Sequence, residues 1–103
     1  MGIITNQDIM KEKLLAVFKR TTYFPDGESV AYAKKVKRPT QVQCGDMEVS
    51  ARKGDVIILG KDCIARVVPL QMIEKNYRFI EEDKVPVNFQ ARLQTLQNYL
   101  KVN

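Results

Sequence analysis

Histidine is absent from this 103-residue chain, and a long list of chemistries goes with it. Without an imidazole there is no ordinary general base near neutral pH, no Ser-His or Cys-His nucleophile pair and no histidine-ligated metal. Cysteine is scarce as well. Cys44 and Cys63 are the only two, too few without histidine to complete a four-ligand zinc centre. They read as reduced thiols behaving as small apolar residues in strand-like stretches, with a disulfide as the lesser alternative should their strands pair. Gly45, Gly54 and Gly60 stand singly beside turn residues, so no Gly-rich loop is available to cradle a phosphate. No aspartate-rich loop has the spacing of a calcium-binding hand. The expectation is therefore no catalytic residue, no metal and no cofactor.

Long apolar runs are missing too. Nothing approaches the roughly 18 unbroken apolar residues of a bilayer-crossing helix, and the N-terminus lacks the basic, apolar and small-residue regions of a secretory signal. No membrane association and a cytoplasmic location are the default expectations. Aromatic rings are sparse in the middle of the chain, where Tyr32 is the only one between Val30 and Asn76. Surfaces that grip single-stranded nucleic acid stack bases on several rings, so that mode is disfavoured.

What is present describes a globular domain: 45% hydrophobic and 28% charged residues, and a length suited to one domain over residues 1–103. A chain of this size buries about 60–70% of the surface it would expose unfolded, which leaves few apolar side chains for a deep pocket. Thr5 and Asp8 have capping-box spacing. Ile9, Met10, Leu14, Val17 and Phe18 follow at three- and four-residue steps, predicting a helix over 5–20 with Lys11, Glu12, Lys13, Lys19 and Arg20 on its wet side. Phe24-Pro25-Asp26-Gly27 is a turn, after which the period changes to two.

Residues 29–81 read as a β-rich core. Ser29 to Val36 alternates, with Val30, Tyr32 and Val36 on one face and Lys34 interrupting it, which places Lys34 at a sheet edge. Gly45-Asp46 turns one short strand into the next, and Lys53-Gly54-Asp55 leads into Val56-Ile57-Ile58-Leu59, apolar on both faces as the most central strand would be. Pro69 suits the first turn of a short helix over 69–76, followed by a closing strand at Tyr77 to Ile80 and a solvated charge cluster, Glu81-Glu82-Asp83-Lys84. Asn88 is placed as the cap of a last helix over 88–101, whose stripe is Phe89, Leu93, Leu96 and Leu100. The fold class is α+β: a small, strongly bent, mostly antiparallel sheet or partial barrel of about four to six strands. Helices flank it at the N- and C-termini, with a short helix before the last strand.

The Gly-Asp turn entering an apolar strand (Lys53-Gly54-Asp55-Val56 through Gly60), then Val68-Pro69 through Ile73-Glu74 to Tyr77, resembles the small bacterial and phage proteins named for a Pro-Gly-Asp-Tyr-Gly motif. The resemblance covers residues 32–82 and omits both terminal helices. Lys53 stands where the motif has proline and Val56 where it has an aromatic. It implies a fold rather than an activity, because the family has no established biochemical function.

Charge supplies a candidate site. Seventeen basic residues against twelve acidic ones give +5, and Lys34, Lys35, Lys37 and Arg38 concentrate four cations within five positions, with Arg52 and Lys53 expected nearby across the sheet. Such a patch could bind an anion or the phosphates of a nucleic acid. The plainer reading is a solvated strand end whose lysines discourage edge-to-edge pairing. Tyr32 reads as a packed ring with its hydroxyl at the rim. Asp46, Asp55 and Asp62 fit turn chemistry; in the least favoured, enzymatic alternative they, Glu74 and a thiol would be the reactive groups. The Phe89, Leu93, Leu96 and Leu100 helix either packs within the monomer or serves as an interaction surface. The function expected is a non-catalytic binding or accessory module, with a protein partner or self-association ahead of nucleic acid.

Overall fold

Thr5 starts the first helix as its spacing predicts. In the computed structural model, which describes residues 2–18, 29–75 and 77–102, the Thr5 N–H donates to the Asp8 carboxylate at 2.9 Å, and the Asp8 N–H donates back to the Thr5 hydroxyl at 3.5 Å. Helix α1 spans Asn6–Lys11. The Thr5 backbone and hydroxyl bonds hold the Asp8 carboxyl below its ordinary value. A lowered native pKa means this stabilisation is complete above the unfolded pKa and fades as pH falls through the native one. Thr5→Ala is expected to lower stability by about 1 kcal/mol in urea denaturation at neutral pH, with the difference from wild type shrinking on acidification.

The helix predicted to reach residue 20 stops at Lys11 instead. Glu12 caps it, Lys13 adopts φ 52°, and Leu14–Phe18 forms strand β1. Residues 14–18 are apolar at every position, not merely on a stripe. Leu15 and Val17 enter one core cluster while Ala16 enters another on the opposite face. An interior strand satisfies both demands, and a surface helix cannot. Lys19, Arg20 and the Phe24-Pro25-Asp26-Gly27 turn lie outside the described residues.

The remaining elements are β2 (Ser29–Lys35), β3 (Thr40–Cys44), β4 (Met47–Ala51), β5 (Asp55–Leu59), β6 (Ala65–Pro69), α2 (Leu70–Glu74), β7 (Tyr77–Glu81), a 3₁₀ turn (Glu82–Lys84) and α3 (Val87–Val102). The fold is α+β, with an antiparallel five-stranded sheet ordered β6-β5-β2-β1-β7 and a separate β3-β4 hairpin. The sheet is not closed into a barrel: β6 and β7 form its two edges. The central strand is β2, not β5: β1 pairs it on one side from Leu14↔Ala33 to Phe18↔Ser29, and β5 on the other from Tyr32↔Leu59 to Lys35↔Val56. Pro69 ends β6 and caps α2 from outside, α2 is shorter than 69–76, and Tyr77 belongs to β7. Likewise α3 begins at Val87, which puts Asn88 inside its first turn rather than at the cap.

One face of the sheet carries the larger core, where Leu15, Val17, Tyr32, Ile57 and Leu59 meet Ile9 of α1, Val42 and Ala51 of the hairpin, and the stripe of α3. Phe89, Leu93, Leu96 and Leu100 are all buried there. The stripe considered as an interaction surface is thus consumed inside the chain, because an amphipathic helix laid on an apolar sheet buries its own stripe first. On the other face Ala16, Ala31, Ala33, Val56 and Ile58 pack with Ile73 and Tyr77.

Candidate anion-binding cleft

Where β2 leaves the sheet, its next residue is pinned by the β4–β5 turn. The Val36 N–H donates to the Asp55 carbonyl and its carbonyl accepts from the Gly54 N–H, both at 2.9 Å. That turn is held by the Asp55 carboxylate, which accepts from the Arg52 N–H at 2.8 Å, and by Gly54 at φ 95°, where a side chain would be strained. Val36 is buried, and Lys37, Arg38 and Pro39 run exposed to β3. Beside them Ile4 adds a short parallel bridge to β3: its N–H donates to the Gln41 carbonyl and its carbonyl accepts from the Gln43 N–H, each at 2.9 Å. Between these segments lies a cleft of about 350 Å³. Ile4, Val36 and Pro39 give it apolar lining, and Lys34, Lys37 and Arg38 give it cations.

The six predicted basic residues are only partly brought together. Lys34 lines the cleft from the central strand, past the point where β1 stops pairing with it, rather than from a sheet edge. Its ammonium forms an ion pair with Glu12. Lys35 contributes to the wall, but its ammonium lies 4.6 Å from the Phe79 ring centroid, on the other face, because consecutive strand residues point to opposite sides. Lys37 and Arg38 are exposed and line the cleft. Arg52 and Lys53 sit exposed on the neighbouring turn and are not among its lining residues. Glu12 also lines the cleft, and no short-range pattern in the sequence links it to Lys34.

Tyr32 is 2% exposed, so its ring offers no stacking platform. Its hydroxyl donates to Glu82 at 3.1 Å and accepts from Gln97 at 3.1 Å, while Gln97 also donates to the other Glu82 oxygen at 3.1 Å. Burial foremost raises the Tyr32 pKa. Glu82, expected in a solvated cluster, is half-buried and ties β2 to α3 through this network.

Both cysteines are half-buried. Burial pushes the Cys44 thiol up, as it would for an inert thiol. Cys63 sits not in a strand but in the loop before β6, at φ 64°, with its sulfur 3.6 Å from the Lys61 and Tyr99 carbonyl oxygens. Asp62 accepts from the Ile64 N–H at 3.2 Å and pairs with Arg66, so it and Asp55 serve their turns. Among the described residues no group of three or more Cys, Asp or Glu side chains is placed to hold a metal ion, and no helix is long and apolar enough to cross a membrane. No family model, curated protein or solved structure matches the chain.

Proposed function

We propose that this chain is a non-catalytic binding module whose cleft takes an acidic, partly apolar segment of a partner protein. The observation that carries this reading is the composition of the cleft, where the cations of Lys34, Lys37 and Arg38 stand beside the apolar groups of Ile4, Val36 and Pro39. A phosphodiester strand would use the cations but leave the apolar lining unmatched. It would also find no ring for its bases among the described residues, where no aromatic lines the cleft and Tyr32 is in the core. Nucleic-acid binding is therefore the second reading, supported by the net charge of +5 and marked by a steep salt dependence. Self-association through α3 loses its support with the stripe buried. Catalysis stays the least supported, with Asp55 and Asp62 engaged in local bonds. A cytoplasmic accessory role and a relationship to the Pro-Gly-Asp-Tyr-Gly proteins over residues 32–82 belong to the same proposal.

The test is fluorescence anisotropy with a labelled peptide alternating Glu and Leu, alongside a single-stranded oligodeoxynucleotide of equal charge, across a salt series. The peptide is expected to bind more tightly. Lys37→Glu with Arg38→Glu should weaken it about tenfold or more, as two rim attractions become repulsions. Tighter binding of the oligonucleotide would replace the protein reading with the nucleic-acid one, and no binding of either probe would remove the cleft from consideration.

A further inference from the structure

We infer that Glu12 is an internal occupant of the cleft: its carboxylate holds Lys34 in the free protein and is displaced when an acidic side chain of the partner enters. This rests on the binding reading above and assigns its regulation. The Lys34 side chain is 23% exposed, and its ammonium is paired with the Glu12 carboxylate. Glu12 supplies the counter-charge and lines the same cleft.

The backbone around Glu12 is clamped. Its own N–H donates to the Ile9 carbonyl at 3.3 Å, closing α1, and the next carbonyl, that of Lys13, accepts from the Glu82 N–H at 2.8 Å. The side chain is 45% exposed and can swing outward into water without disturbing those bonds. Among the described residues neither Lys37 nor Arg38 has a carboxylate partner. An incoming acid therefore meets two unpaired cations first and then competes with Glu12 for the third. Until it does, the Glu12 charge opposes any anion in the cleft, so affinity is set by an exchange of carboxylates rather than by simple addition of one.

The experiment measures the same alternating Glu–Leu peptide against wild type, Glu12→Gln, Lys34→Gln and the double variant at low salt. Glu12→Gln keeps the shape of the side chain at an exposed position, so the fold is retained. It is expected to tighten binding about fivefold, the size of one modest surface ion pair, and the gain should largely vanish in the Lys34→Gln background, where there is no cation to release. Unchanged or weaker binding by Glu12→Gln, with wild type still binding, would overturn the displacement while leaving the cleft reading intact. An undiminished gain in the Lys34→Gln background would overturn it as well, showing a general charge effect. Failure of the peptide to bind wild type and Glu12→Gln alike would remove both.

Discussion

Leu96→Ala is expected to lower the unfolding free energy by about 2–5 kcal/mol, the range for deleting a buried leucine side chain in a core that relaxes only partly. Leu96 is 1% exposed and lies in the α3 stripe that packs on the larger face of the sheet. Small domains of this kind are stable by only about 5–15 kcal/mol, so the loss would shift the urea midpoint far enough to read without ambiguity. Val87→Ala is the matched control, since Val87 begins the same helix but is 88% exposed, and it should change stability by no more than about 0.5 kcal/mol. Light scattering separates this structural role from an interface. Leu96→Ala should leave the mass of the folded protein unchanged, whereas a fall in mass without loss of stability would mean that the stripe faces a second copy.

The α3 stripe was legible in the sequence because four residues at helical spacing need no knowledge of the rest of the chain. So were the Gly45 and Gly54 turns, both at positive φ, and the capping box at Thr5. These are local signals, set by backbone sterics and by partners three residues apart. For strand β1 the sequence carries two competing signals. Leu14, Val17 and Phe18 continue the helical spacing of Ile9 and Met10, but Leu15 and Ala16 between them are equally apolar, which leaves a helix no wet side. The face of each lysine was also readable. Once Ser29 to Val36 is taken as a strand, Lys34 and Lys35 must diverge, and the four-cation cluster cannot be a single patch of ammonium groups. By contrast, the central place of β2 depends on β1 pairing it on one side and β5 on the other, contacts between segments apart in the chain. The Glu12–Lys34 pair depends on the same assembly, and neither could be found by periodicity.

The second large effect is expected on β5, where Val56→Asp and Ile57→Asp should each leave the chain largely unfolded in neutral buffer. Val56 and Ile57 are both fully buried, but Ile57 belongs to the core under α3 and Val56 to the opposite one, with Ala33, Ile73 and Tyr77. A sheet covered on one side only would tolerate an aspartate at one of these two positions, since neighbouring side chains alternate between core and water. Here neither position reaches water. An unpaired buried carboxylate costs several kcal/mol whether it stays ionised or takes up a proton, a penalty comparable with the whole stability of such a domain. Far-UV circular dichroism and thermal melts would show the loss, with Ser50→Asp on an exposed position of β4 as a folded control. Burial raises the pKa of the introduced carboxyl, so the penalty is greatest when the group is ionised in the unfolded chain and eases as pH falls and it becomes neutral in both states. Partial recovery of structure in mild acid by both variants would identify desolvation as the cause. If Val56→Asp were folded at neutral pH while Ile57→Asp was not, the face carrying Ala16, Ala31 and Ala33 would be accessible to water rather than packed.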